Sequence, residues 1–436
     1  MPTTVWLRLL IAAQILAVTV LAAITVARYP LWTLVDEGAH FDYIQAIADD
    51  GRLPVVTDLV SPQVEAIAEH VYPAPPRKDR VRIGLGGHSY EAQQPPLYYL
   101  LAVPAFAAGG SDYETKARVV RAFDVLFLLG AIAVFLLLCR EVLGRGDEAL
   151  AGTALALTVF LWPAIVVRGV TISNEGLELL IGVALVYALW RAASERRPGW
   201  LVTAGALIGL GLLTRLTLAY LVPVAVGVAV VGALRGPKRF PWWSLAAAAA
   251  LPVALLVPWA VFNLDHYNAL TPTQAARHQQ EAVVNPTGRT LGLSDLKTDA
   301  AAMLNGILPD EWWVVFLSSA WRIARDVIVP AFLVVPLALG ALAPLRPGER
   351  GRAWWILAAP MLIGLLAMLA SFVIANWNLF APRYLHPELP GFALFGALAL
   401  VRLVPKPRLV GGVAVVITLA LLALWAHLAS VTPASL

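Results

Sequence analysis

The chain of 436 residues carries 32 Lys and Arg against 28 Asp and Glu, a formal net charge of +4, and is 59% hydrophobic but only 14% charged. This excludes a soluble globular domain of ordinary size, and a single cysteine, Cys139, excludes an internal disulfide. The modest basic surplus does not point to nucleic acid: the cations gather in short segments between apolar runs, and no basic and aromatic interleaving accompanies them.

A helix needs about 20 apolar residues to cross a hydrocarbon core, and such runs recur from end to end. They predict an all-α polytopic membrane protein with about eleven spans, near 7–28, 117–139, 149–168, 173–192, 199–214, 216–234, 242–262, 326–345, 353–375, 386–403 and 409–428. The first run follows Arg8 but is longer than the apolar part of a signal peptide and lacks a small-residue cleavage site, so it is expected to stay as a helix. Alternate short loops hold Arg140 and Arg145, then Arg191, Arg196 and Arg197, then Arg235, Lys238 and Arg239, then Arg346, Arg350 and Arg352, then Arg402, Lys406 and Arg408. By the positive-inside rule these loops are cytoplasmic, which places the N-terminus inside a plasma (inner) membrane and the C-terminus outside. Residues 1–436 are expected to form a single transmembrane domain. Its two long segments, 29–116 and 263–325, are outer loops carrying interfacial helices in "EAQQPPLYYLLAVPAF" and "GILPDEWWVVFLSSAW".

Functional residues are expected in those loops, since ionisable groups near membrane depth are costly. In "LWTLVDEGAHFDYIQAIADDGRLPV", helical spacing puts Asp36, His40 and Tyr43 on one face and Glu37 about 100° away. A carboxylate and an imidazole so placed can act as base and orienting partner, or hold a divalent ion; carboxylates in a first helical turn also simply favour the helix dipole. In "HSYEAQQPPLYYLLAVP", Pro95 and Pro96 stop any helix before them and pre-set the next. The segment from Leu97 would then be amphipathic or re-entrant, either an interfacial anchor or a support for His88, Glu91 and Gln94.

Arg118, Arg121, Arg168, Arg215 and Arg383 stand at outer ends of spans, where the positive-inside rule disfavours them. A lipid-borne phosphate would explain them, because guanidinium binds phosphate oxygens bidentately. An internal ion pair would also do so, and Asp124 lies three residues from Arg121, whereas Arg215 and Arg383 have no equally obvious local acid. In "NWNLFAPRYLHPELPG", Arg383, Tyr384, His386 and Glu388 stand among Pro382, Pro387 and Pro390, a constrained loop suited to binding. Asp265, His266, Asp310 and Glu311 are weaker candidates. No P-loop, GxSxG elbow, zinc-type Cys/His spacing or Rossmann fingerprint occurs.

A first helix followed by "DE..H", then "QPPLYYLL", "GLLTRLT" and "APRYLHPELPG", resembles the GT-C superfamily of polytopic glycosyltransferases, and within it the family 39-like, phospholipid-carrier-dependent enzymes of bacteria. The resemblance covers most of the chain as architecture and rests on these four short motifs. It implies a GT-C fold and transfer of a sugar from a polyprenyl-phosphate carrier to an envelope glycan, glycolipid or protein at the periplasmic or extracellular face. It makes Asp36 the general base, with Glu37 the adjacent alternative. Arg215 and Arg383 match positions that face the carrier phosphate, with Arg118 and Arg121 as further candidates. His40, Tyr43, His88, Glu91, Gln94, Tyr384, His386 and Glu388 are expected around the substrates. No cofactor is required; a divalent cation, Mg or Mn, would fall to Asp36, His40 and Glu91. The family's His-Pro-Pro reads Gln94-Pro95-Pro96 here, which removes one potential metal ligand. Direct displacement would invert the anomeric centre. The competing class is a transporter or lipid flippase, which predicts ionisable groups near the bilayer midplane, where only Asp124 and Glu178 qualify.

Overall fold

The computed structural model describes residues 2–32, 36–71, 87–234, 239–272, 334–375 and 385–431. The described residues form helices joined by short turns, with one isolated bridge between Leu59 and His88. Among the described residues, six helices are long and apolar enough to cross a membrane, and a bent pair makes a seventh. The long ones include α1 (Thr3–Arg28), α5 (Tyr113–Leu143), α8 (Glu175–Glu195), α11 (Trp242–Tyr267) and the last helix (Pro407–Val431). The sixth combines a 3-10 turn at Leu216–Leu221 with α10 (Val222–Leu234).

Each of the eleven expected spans overlaps a described helix, but not all of these meet the length for a crossing, and 326–333 of the expected span 326–345 lie outside the described residues. Three apolar helices are shorter: α4 (Leu97–Ala108), α9 (Pro198–Leu212) and the helix Leu389–Leu403. The expected span 149–168 is broken, because Pro163 cannot continue the helix. There α6 (Asp147–Leu157), with its 3-10 extension Thr158–Leu161, meets α7 (Pro163–Val170) at 61°. The freed carbonyl of Leu161 accepts the indole N–H of Trp425 at 2.9 Å, which keeps the break satisfied away from water. Most of the second expected outer loop, including Asp310 and Glu311, lies outside the described residues, as do Arg383 and Tyr384.

The helices pack around α5 and α8, whose mutual face is lined by buried Leu, Ile, Val and Phe. On α11, Val253, Val257, Val261 and Leu264 form an exposed stripe at helical spacing, as a lipid-facing helix requires. Buried polar side chains act as interhelical ties: Gln14 of α1 donates to the Ala154 carbonyl and to Thr418, both at 2.9 Å.

The first outer segment folds as α2 (Glu37–Asp50), α3 (Pro62–Val71), a 3-10 turn at Tyr90–Gln93 and α4. Helix α2 ends at Gly51, whose φ of 68° is the left-handed conformation that glycine adopts readily. Helix α4 begins directly after Pro96, as the paired prolines dictate. It is apolar on all sides rather than amphipathic: Leu100 and Leu101 are exposed, while Tyr98 and Tyr99 are wholly buried against α2 and α5.

Candidate active site

Asp36 immediately precedes α2, and its carbonyl accepts the N–H of His40 at 2.9 Å. Its φ is 81°, a left-handed conformation that Asp tolerates better than most residues but that still stores strain on the order of 1–3 kcal/mol. Its side chain makes no capping bond to the helix, so the carboxylate is not consumed in the role that a first-turn acid usually plays. It is buried and accepts the phenol hydroxyl of Tyr90 instead.

Glu37 points elsewhere. Its two oxygens meet Nε and Nη2 of Arg121 at 2.6 Å each, and they also accept the N–H groups of Ile172 at 3.1 Å and Trp32 at 3.0 Å. Arg121 spends further donors on the Tyr29 and Pro30 carbonyls at 2.7 and 2.9 Å. With Glu37 1% and Arg121 0% exposed, this pair is a structural fastening, and neither the alternative base nor this phosphate candidate is placed to meet a substrate. The expected partner Asp124 instead accepts from Tyr98 at 2.9 Å. Arg118 is also otherwise engaged, donating to the Val26 and Ala27 carbonyls at the end of α1, where a cation complements the helix dipole.

Along the inner face of α2, His40 bonds through Nδ1 to the Tyr99 hydroxyl at 2.7 Å, and its Nε2 lies 4.0 Å from Glu91. Tyr43 stacks on Tyr99 with ring centroids 3.8 Å apart, and its hydroxyl donates to the Gln94 carbonyl at 3.3 Å. Burial pushes the Tyr43 phenol far above its ordinary range, so it stays a hydrogen-bond donor. On the other side of the same helix, Asp42 accepts the N–H of Ser61 at 2.8 Å; burial raises its carboxyl above the ordinary range, and that bond only partly opposes the effect. His88 is set apart in the loop, its Nδ1 3.1 Å from the Thr57 carbonyl.

The motif Gln94-Pro95-Pro96 is sewn to the middle of the chain. Asn174 donates both to Gln94 Oε1 at 3.3 Å and to the Thr214 carbonyl at 3.0 Å, and the N–H of Leu97 donates to the Leu213 carbonyl at 3.0 Å. These bonds fix Arg215, which sits extended between α9 and the next 3-10 turn, where two apolar runs meet. The acids that sequence proximity did not reveal come from α8: Arg215 Nη1 lies 3.1 Å from Glu175 and 3.0 Å from Glu178. Thr217 donates to the other oxygen of Glu178, and Arg168 approaches the same oxygen of Glu175 at 3.5 Å. Tyr99 lies within electrostatic reach of Glu91, Asp36 and Arg215 together. His386 and Glu388 are buried, and Glu388 lies within electrostatic reach of Glu178.

Asp36, His40 and Glu91 do not converge as a metal site. His40 gives one ring nitrogen to Tyr99, Asp36 gives an oxygen to Tyr90, and no group of three His, Cys, Asp or Glu side chains among the described residues is arranged to hold an ion. Sequence reasoning missed Tyr90, Tyr99, Asn174 and Glu175. Only Asn174 left a local signal, standing directly before Glu175 at the start of an apolar run.

The family model described as dolichyl-phosphate-mannose-protein mannosyltransferase matches residues 93–261, the part of the chain from the Gln94 motif through α11. Among solved structures, ArnT from Cupriavidus metallidurans bound to undecaprenyl phosphate aligns with a TM-score of 0.55 at 17% identity, over 100% of this chain and 66% of that one. The archaeal oligosaccharyltransferase AglB from Archaeoglobus fulgidus, in complex with an inhibitory peptide and a dolichol-phosphate, aligns with a TM-score of 0.51 at 14% identity, over 91% of this chain and 50% of that one. The fold is the GT-C-like helical fold that these two structures share. The chain spans about two thirds of the length of the first of these structures and half of the second. No curated protein matches it.

Proposed function

We propose that the chain is a GT-C membrane glycosyltransferase that moves a sugar from a polyprenyl-phosphate carrier to a glycan, glycolipid or protein acceptor at the outer face of the plasma membrane, with the N-terminus cytoplasmic and residues 1–436 acting as one domain. The observation that carries this reading is that Tyr99, bonded to His40 in the helix that Asp36 begins, lies within electrostatic reach of both Asp36 and Arg215, an anion of the first outer segment and a cation directly after α9. The family model and the carriers bound by ArnT and AglB support the donor class.

The chemistry follows from the two charges. Asp36 accepts the proton of the acceptor hydroxyl as its oxygen attacks the anomeric carbon, and the bond from that carbon to the phosphate oxygen breaks. The leaving phosphate, still on its lipid, is stabilised by Arg215. A single displacement inverts the anomeric centre. Tyr90 holds Asp36 in orientation, while His40 and Tyr43 fix Tyr99 within electrostatic reach of both charges. No step is assigned to a metal, since the candidate ligands do not fit one.

The transporter alternative is less favoured. The buried charges Arg168, Glu175, Arg215 and Glu388 stand at or beside helix ends, on the side where the first outer segment packs. A one-sided site suits an enzyme. The test is turnover of radiolabelled polyprenyl-phosphate sugars by purified protein in lipid, with envelope extracts as acceptor. Transfer by the wild type and its loss in a folded Asp36→Asn variant support the proposal; equal turnover by both removes Asp36 as the base.

A further inference from the structure

Glu388 is 1% exposed, and among the described residues neither of its carboxyl oxygens has a hydrogen-bond partner. Its backbone is fully engaged: the N–H donates to the Leu385 carbonyl at 3.2 Å, and the carbonyl accepts from Phe392 at 3.0 Å. Although Glu388 precedes the helix Leu389–Leu403, its side chain makes no capping bond. The residue is held in place by its backbone while no other described side chain bonds its carboxyl group.

The position is built by close contact. A Cβ on Gly182 of α8 would lie 2.7 Å from Cβ of Pro387, so only glycine lets the Pro387–Glu388 turn seat against that helix. Glu178 is one helical turn away on the same face, and the two carboxylates lie close enough to repel. Both oxygens of Glu178 are occupied, by Arg215 and Thr217. Glu388 therefore neighbours Glu178, the acid that pairs with the cation to which the carrier phosphate is assigned.

A buried carboxyl without a partner is costly, and native proteins keep such groups where a ligand completes them. A donor sugar hangs directly from its phosphate, so the groups that read its hydroxyls must lie within one ring of the phosphate-binding cation. We infer that Glu388 reads the donor sugar: its carboxyl accepts hydroxyls of the glycosyl unit whose phosphate is held at Arg215. A carboxylate offers two oxygens with about four acceptor sites, enough for two neighbouring hydroxyls. This inference rests on the proposed donor class and adds the residue that selects among donors.

The experiment measures binding of undecaprenyl phosphate alone and of its glucosyl, mannosyl, galactosyl and arabinosyl forms to the full chain in nanodiscs, for wild type and Glu388→Gln. At least one sugar is expected to tighten wild-type binding relative to the bare carrier, and the variant is expected to lose roughly 10- to 100-fold of that gain while holding the bare carrier as before. Bare-carrier binding also reports that the variant is folded; if it is lost, the preferred donor and its single-deoxy forms are compared on wild type, where an unchanged affinity across the deoxy series overturns the inference. An unchanged sugar gain in Glu388→Gln overturns it and leaves the phosphate reading intact, as does a wild type that binds every glycosylated carrier no better than the bare one. If donor binding is unchanged but the KM for acceptor rises, Glu388 reads the acceptor and the donor assignment fails. If wild type binds no carrier at all, the proposed donor class fails and takes this inference with it.

Discussion

The carboxylate of Glu37 and the guanidinium of Arg121 meet through two 2.6 Å hydrogen bonds, although 84 positions separate them in the chain. This pair fastens the start of the first outer segment to α5, and two backbone N–H groups complete the carboxylate. Its neighbour Asp36 faces the site. Under the proposed function, two adjacent acids divide into a structural and a chemical role.

Breaking that fastening should unfold rather than disarm. Glu37→Gln or Arg121→Met leaves one buried charge uncompensated, a loss of about 3–5 kcal/mol. A thermal melt in detergent should show a large fall in Tm for each single variant and a smaller one for the double variant Glu37→Leu with Arg121→Met. A single variant that melts like wild type would refute the structural assignment.

Asp36→Asn should do the opposite, keeping the melt and losing turnover by roughly 100- to 10,000-fold, the usual contribution of a general base. Asparagine also tolerates the positive φ at this position, which makes it a cleaner probe than alanine. Tyr90→Phe removes only the orienting hydroxyl and should cost less, seen as a lower kcat with little change in donor KM.

For Arg215, lysine is the informative substitution. It keeps a charge opposite Glu175 and Glu178 but loses the planar fork, so carrier affinity should fall roughly 10- to 100-fold while the protein stays folded. Binding of undecaprenyl phosphate measures this directly. Undiminished affinity would assign the phosphate to another cation.

Asp42 predicts a pH dependence of stability. Burial raises its folded pKa above 3.8, so the folded state binds the proton more tightly than the unfolded chain does. Its favourable contribution is present below pH 3.8 and is lost as pH rises through the raised folded value. Asp42→Asn retains an acceptor for Ser61 without the charge, so its Tm should gain on wild type across that window and then run parallel. If wild type gains on the variant instead, the Ser61 hydrogen bond outweighs burial.

The sequence made the site legible where one residue was informative by itself. Asp36 stood out because an acid follows an apolar span, and Arg215 because a lone cation separates two apolar runs. Their surroundings were illegible because each partner is distant: Arg215 draws its acids from α8, 37 positions away for Glu178, and Arg121 takes Glu37 in preference to Asp124 in its own helix. Helical spacing finds neighbours within a turn and says nothing of helices that meet in space. The form of the spans was less legible for a related reason: hydropathy sees apolar length, whereas Pro163 breaks one run into two helices and α9 ends after 15 residues.

The order in which these groups occur along the chain bears on how the protein is made. During synthesis Glu37 emerges long before Arg121, Glu175 and Glu178 precede Arg215, and Glu388 comes only shortly before the final helix. A half-inserted nascent chain therefore carries acids whose countercharges have not yet been translated, next to lipid that cannot solvate them. Biogenesis must keep those helices loosely associated and reachable by water until α9 has been delivered, so the site closes late and from both ends of the chain.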